Sequence, residues 1–157
     1  MTLDKVDLRP VTEEDWELWR DLRYRVLTTD PDAFGSTLAR EQAFTESDWR
    51  RLGRGRCYVA CVDGRPVGMG GIIPEESGSC SVVAMWVDPA ARGRGIGWLL
   101  LEQVLGTVPA DGDVVLWVAD GNPARRLYES AGFVATGERA PIRPGATLFK
   151  SRMRLAR

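Results

Sequence analysis

Val87-Asp88-Pro89-Ala90-Ala91-Arg92-Gly93-Arg94-Gly95-Ile96-Gly97 runs from the apolar stretch CSVVAMWV (80–87) through a glycine-rich turn into IGWLLLEQVLG (96–106). The apolar run reads as a strand, and Ile96, Leu99, Leu100, Val104 and Leu105 mark the buried face of a helix. Amides in the first turn of a helix have no internal partner, so a strand that ends on such a turn presents outward-facing N–H groups. Glycines at 93, 95 and 97 let an anion approach those amides, and Arg92 and Arg94 add positive charge. A pyrophosphate is the natural guest. Glycines in a turn also serve positive φ alone, so this stretch needs support from the rest of the chain.

Downstream, VVLWVA (114–119) is another buried strand, and strand, helix, strand is the order of a parallel crossover. Upstream, CYVACV (57–62), the turn Asp63-Gly64-Arg65-Pro66, VGMGGII (67–73) and a turn from Pro74 to Gly78 lead into CSVVAMWV as an antiparallel meander. Before the meander, alternation in VDLRPV predicts a strand over about 5 to 11. Thr12 with Asp15 then resembles a capping box that opens a helix whose apolar face carries Trp16, Trp19, Leu22, Val26 and Leu27 and which ends near Thr28. TTDPDAFGST reads as a loop, and a short helix over 45–53 carries Trp49 and Leu52. Past the crossover come a short helix over 123–131, a strand over 133–135, a loop through 145 and a last strand TLFKSRMRL. The whole of 1–157 reads as one domain.

Charge narrows the function classes. Lys plus Arg number 21 and Asp plus Glu 22, so the chain lacks the broad positive field that nucleic acid or an anionic membrane surface attracts. No apolar run approaches the ~20 residues of a membrane span, and MTLDKVDLRP lacks a signal-peptide core, so a cytoplasmic location is expected. Cys57, Cys61 and Cys80 lack metal-ligand spacing and read as buried free thiols. Histidine is absent, which removes Ser-His and Cys-His nucleophiles and most zinc chemistry; no metal site is expected. Six tryptophans leave room for an aromatic homodimer patch.

A second informative stretch, Asn122-Pro123-Ala124-Arg125-Arg126-Leu127-Tyr128-Glu129-Ser130-Ala131-Gly132-Phe133, follows VVLWVA directly. Asn122 suits an N-cap, Pro123 the first helical position and Gly132 the left-handed position after the helix. Helix rules do not require Tyr128, which lies outside the Leu127/Ala131 stripe.

Together the two stretches resemble the GNAT acetyltransferase superfamily. The first is similar to its acetyl-CoA motif, Arg/Gln-x-x-Gly-x-Gly/Ala, through Arg92, Gly95 and Gly97, with Val87-Asp88-Pro89 ahead of it. The second is similar to its Asn…Tyr-x-x-x-Gly-Phe region through Asn122, Tyr128, Gly132 and Phe133, and DPDAFGSTLARE (30–41) looks like a loop of some members. The resemblance implies a mixed α/β fold: a mostly antiparallel central sheet of six to seven strands, about four flanking helices, a parallel crossover, and fourth and fifth strands that splay apart.

It also implies a site. Acetyl-CoA would be the acyl donor, with its pantetheine arm on the backbone of Met85 and Val87 and its pyrophosphate on the amides of Arg92, Gly93, Arg94, Gly95, Ile96 and Gly97. Asn122 would hydrogen-bond the arm. Tyr128 would face the sulfur and protonate the departing thiolate after direct attack by an amine, with a backbone N–H near Met85 stabilising the oxyanion. The acceptor would be a small-molecule or peptide amine. Many members carry an acid on the fourth strand; CSVVAMWV has none, so Glu75 and Glu76 stand as base candidates acting through water. Arg139 and Arg143 hint at an acidic acceptor.

Two other readings stay open on sequence alone. Gly93-x-Gly95-x-Gly97 with Asp113 downstream has part of a dinucleotide fingerprint, although Trp98 stands where that pattern wants glycine. A non-catalytic acyl-CoA sensor or interaction module on the same fold would also lack the fourth-strand acid.

Overall fold

The computed structural model describes residues 5–156. β1 (Val6–Pro10) opens a seven-stranded sheet and is followed by a single 3-10 turn over Glu13–Asp15 and the helix α1 (Trp16–Thr29). The Asp15 carboxylate accepts from the Thr12 amide at 2.9 Å and its hydroxyl at 3.0 Å, so the turn into α1 is closed as the sequence suggests. α1 buries Trp19, Leu22, Val26 and Leu27. Two short helices follow, α2 (Leu38–Gln42) and α3 (Glu46–Leu52), each entered by a threonine cap at Thr37 and Thr45.

The meander then runs as β2 (Arg56–Val62), β3 (Arg65–Pro74) and β4 (Cys80–Val87), and the crossover as α4 (Ile96–Leu105) into β5 (Val114–Ala119). α5 (Ala124–Ser130), β6 (Phe133–Pro141) and β7 (Phe149–Leu155) complete the chain. The strand order is β1-β2-β3-β4-β5-β7-β6, antiparallel throughout except for the parallel β4–β5 pair.

A small apolar cluster of Ala60, Val62, Ala91, Ile96 and Leu100 packs on the sheet beside two larger cores. One packs α1 and α3 against β2 and β3 through Trp19, Val26, Trp49, Val59 and Met69. The other buries Leu101, Val104, Leu116, Tyr128, Phe133 and Met153 between α4, α5 and the C-terminal strands. Among the described residues no helix is long and apolar enough to cross a membrane, and no group of three or more Cys, Asp or Glu could hold a metal.

Several local expectations change. Among the described residues there are five α-helices where about four were expected, the short α2 forming at the end of the segment 30–41 that looks like a loop. β6 continues to Pro141, since pairing with β7 overrides its polar, exposed sequence. On α4 the buried residues are Ile96, Leu100, Leu101 and Val104, so Leu101 takes the place expected of Leu99, which is exposed. Cys80 is only partly buried. Trp19, Trp49 and Trp86 lie in the core, Trp16 and Trp117 are partly buried, and Trp98 is the most exposed of the six tryptophans.

Candidate active site

The sheet opens where the chemistry was expected. β4 and β5 pair through only three residues, Cys80 with Val114, Ser81 with Val115 and Val82 with Leu116. Beyond them the strands part. The cause lies on β4, where Gly71 opposes Val83 and Met69 opposes Trp86, so Ala84 and Met85 together face the single Gly70. This is a β-bulge, and Ala84 takes a left-handed φ of 58° to make it. A bulge turns backbone groups out of the ladder, so those of Ala84 and Met85 can meet an extended ligand lying in the gap.

At the end of β4 the chain enters the glycine turn. Gly93 and Gly95 have φ of 83° and 80°, and nothing lies within 4 Å of where a Cβ would project at either. Glycine is thus required by backbone conformation, and the space above the turn stays open. Gly95 is the N-cap of α4 and supplies no side-chain cap, and no described residue accepts from the amides of Gly93, Gly95, Ile96 or Gly97. These are the uncapped donors of a ten-residue helix, which suit a phosphate. Arg92 behaves differently from a free cation. Its Nε donates to the Val87 carbonyl at 2.8 Å and its guanidinium to Asp30 at 3.0 Å. Asp30 also accepts from the Trp86 indole at 2.7 Å, so one carboxylate ties the end of α1 to β4 and to the turn.

Across the gap, the Asn122 side chain accepts from the Ala124 amide at 2.9 Å where the chain enters α5, whose N-cap position is taken by Pro123 rather than Asn122. Tyr128, one turn further, is the buried residue of α5, only 5% exposed and edge-on to Phe133 with ring centroids 6.0 Å apart. Its hydroxyl has no hydrogen-bond partner among the described residues. Burial pushes its ionisation well above the ordinary phenol range, so it remains a proton donor at any physiological pH.

These pieces enclose two adjoining spaces. A cleft of about 620 Å³ is lined by Met85, Val87, the turn residues Arg92, Gly93, Gly95, Ile96 and Gly97 but not Arg94, and, opposite, Asn122 and Tyr128. A second chamber of about 440 Å³ lies between the α1–α2 region and the sheet, with Phe34, Glu41, Trp117 and Lys150 in its walls. Met85, Ala119, Asn122 and Tyr128 border both, so the two spaces meet at the splay.

The structure does not bring Glu75 and Glu76 there. They follow β3 and flank the turn into β4, whereas the bulge lies near that strand's exit, and neither residue lines either space. Glu75 is instead ion-paired with Arg152 at 2.5 Å. Arg139 pairs with Asp120, and Arg143 with Asp32 at 3.5 Å, so neither supplies a free cation to the chamber. The carboxylate that does line the chamber is Glu41, 2% exposed and gripped by Arg23 at 2.9 and 2.5 Å. Burial alone would raise its ionisation, but the Arg23 hydrogen bonds and charge outweigh this and hold it below the ordinary value. It is an ionised structural anchor of α2 rather than a base.

The family model of the acetyltransferase (GNAT) family matches residues 13–133, which takes in both motifs. The chain belongs to the GNAT acetyltransferase family. Among solved structures, a GNAT acetyltransferase from Streptococcus pneumoniae superposes with TM-score 0.75 at 18% identity, covering 96% of this chain and 98% of that one. YncA from Salmonella typhimurium, solved with its cofactor acetyl-CoA, gives TM-score 0.75 at 18% identity over 96% of this chain and 93% of that one. At such identities the likeness is one of fold. A curated relative, L-2,4-diaminobutyric acid acetyltransferase of Nocardia farcinica, is 38% identical over 80 residues, 48% of this chain and 42% of that protein. The alignment therefore spans less than half of the relative. As in other GNAT proteins, acetyl-CoA is the family's donor, and the parted strands and unpaired amides fit such a molecule.

Proposed function

We propose that this chain transfers an acetyl group from acetyl-CoA to a primary amine by direct attack. The observation that carries this reading is the meeting of two spaces at Tyr128 across parted strands. One has unpaired helix-terminal amides for a diphosphate, and the other has room for a separate acceptor. In this assignment the pyrophosphate lies on the amides from Gly93 to Gly97, the pantetheine arm follows β4 at Met85 and Val87, and Asn122 faces the arm. Because the Val87 carbonyl already accepts from Arg92, the arm uses the remaining backbone groups or displaces that side chain.

The acceptor nitrogen attacks the thioester carbon, the C–N bond forms, and the oxyanion is held by a backbone N–H at the bulge. The C–S bond then breaks, and the thiolate takes the Tyr128 proton. A buried phenolate is costly, so Tyr128 recovers a proton in the same event from the nitrogen, which must shed one. The net change moves one proton from nitrogen to sulfur. No carboxylate is needed for that relay, and water takes the earlier proton that converts the ammonium to an amine.

The family of the diaminobutyrate enzyme and a chamber of about 440 Å³ both support a small-molecule acceptor. The test is thiol release from acetyl-CoA with a panel of amines that includes 2,4-diaminobutyrate, 4-aminobutyrate, ornithine, polyamines and a short peptide. Amine-dependent release that is lost in Tyr128→Phe supports the reading. Tight acetyl-CoA binding with no turnover on any amine would favour the acyl-CoA sensor instead.

A further inference from the structure

Three cations and one carboxylate line the acceptor chamber, Arg23, Arg40 and Lys150 against Glu41, in a chain whose net charge is only −1. Two of the cations are committed. Arg23 holds both Glu41 oxygens and stacks on Phe34, 4.8 Å from its centroid. Arg40, on the exposed side of α2, donates to the Ser36 hydroxyl at 3.1 Å and stacks on Phe44 at 5.5 Å.

Lys150 is different. It is half-buried, and among the described residues it has no ion pair; its contact is the Trp117 ring, with Nζ 4.7 Å from the centroid. Arg152 stacks on the same ring at 5.1 Å, but its charge is answered by Glu75. The register places Lys150 opposite Ala119, the last residue of β5, and Ala119 borders the chamber together with Tyr128 and Met85. An ammonium held on an aromatic face, partly withdrawn from water and lacking a counter-ion, favours an incoming anion more than a solvated lysine does.

Resting on the acyl-transfer reading above, we infer that Lys150 receives a carboxylate of the acceptor. The acceptor is then a small primary amine that also carries an acid group, with its acid at Lys150 and its amine directed to the bulge and Tyr128. The carboxylate is a handle and is unchanged by the reaction; the bond that forms is still nitrogen to acetyl carbon, and the bond that breaks is carbon to sulfur. Trp117, beneath the ammonium, limits where that handle can sit and so sets the distance from acid to reacting nitrogen.

The experiment compares acids of the amine panel with their decarboxylated counterparts, 4-aminobutyrate with propylamine and ornithine with putrescine. The readout is the ratio of kcat/KM within each pair. Wild type is expected to favour the acid by about 10- to 100-fold, the range of a charge-assisted contact. Lys150→Met should collapse that ratio towards one, mainly through KM for the acid, Lys150→Arg should keep most of it, and Lys150→Glu should invert it. Circular dichroism and acetyl-CoA affinity are followed in each variant. A wild-type ratio near one, or a ratio unmoved in folded Lys150→Met, overturns the inference while leaving acyl transfer intact. Acetyl-CoA binding with no turnover of either member of any pair overturns the acyl-transfer reading, and this inference with it.

Discussion

Replacing Tyr128 by Phe separates chemistry from stability at this site. The ring is buried against Phe133, and Phe keeps that packing. The hydroxyl makes no hydrogen bond to a described residue, so its removal breaks none and leaves no donor stranded. A stability change within about 1 kcal/mol follows, which in a domain of this size is about 2 to 4 °C in Tm. Turnover should respond very differently. Removing a positioned general acid costs about 100- to 10,000-fold, or about 3 to 5 kcal/mol in the barrier. Acetyl-CoA affinity should stay within a few-fold, because the contacts proposed for the diphosphate and the pantetheine arm lie elsewhere. The assay is thiol release at saturating acetyl-CoA across pH, with calorimetric binding and thermal melts on the same preparations. Because burial raises the Tyr128 ionisation, wild-type turnover should climb as the acceptor ammonium deprotonates and show no downward limb from the phenol up to about pH 10, its ordinary value. Unchanged kcat in Tyr128→Phe, or a Tm loss of ten degrees, would refute this reasoning.

Three further perturbations test the frame around the site. Glu41→Gln leaves the Arg23 guanidinium without its buried counter-charge and should cost about 3 to 5 kcal/mol in urea unfolding. Since the folded-state ionisation of Glu41 lies below its ordinary value, its contribution is complete above about pH 4.3 and fades as pH falls through the folded value; acid unfolding should therefore be less steep in Glu41→Gln. Ala84→Val places a β-branched residue at a left-handed φ of 58° and should lower stability by about 1 to 3 kcal/mol, whereas Ala84→Gly should be neutral or mildly stabilising; thermal melts that rank the two the other way would contradict the bulge geometry. Asp30→Ala strips the Trp86 indole and Arg92 of their shared acceptor and should cost about 1 to 3 kcal/mol, with a change in Trp fluorescence, while Asp30→Asn should keep part of the loss back by retaining an acceptor for the indole.

The crossover and its turn were legible because their signals are local. Three alternate glycines after Pro89, an apolar helix and an apolar strand state the arrangement of β4, α4 and β5 without outside help. Tyr128 stood out in the sequence and borders both spaces, although its burial was not legible, since Leu127 and Ala131 look like the inner face of α5 and are only half-buried. What escaped depends on partners distant in sequence. α2 is five residues long and is held by Thr37 and by Glu41 reaching Arg23, 18 positions away. The bulge sits at Ala84, a residue with no preference for positive φ, and exists because Gly70 on the neighbouring strand faces two residues at once. Glu75 and Glu76 were drawn to the site by nearness to β4 in sequence, which does not say which end of the strand is near. Glu41 and Lys150 carried no signal at all, because the chamber they line is assembled from α2 and β7, on opposite sides of the meander.

The central claim is that β4 and β5 part to admit the thioester arm while the turn holds its diphosphate. A crystal structure of the complex with CoA tests it most directly. The account expects the diphosphate within hydrogen-bond distance of the amides from Gly93 to Gly97, the arm between the parted strands, and the sulfur beside the Tyr128 hydroxyl. CoA bound elsewhere, with the gap between the strands empty, would contradict it.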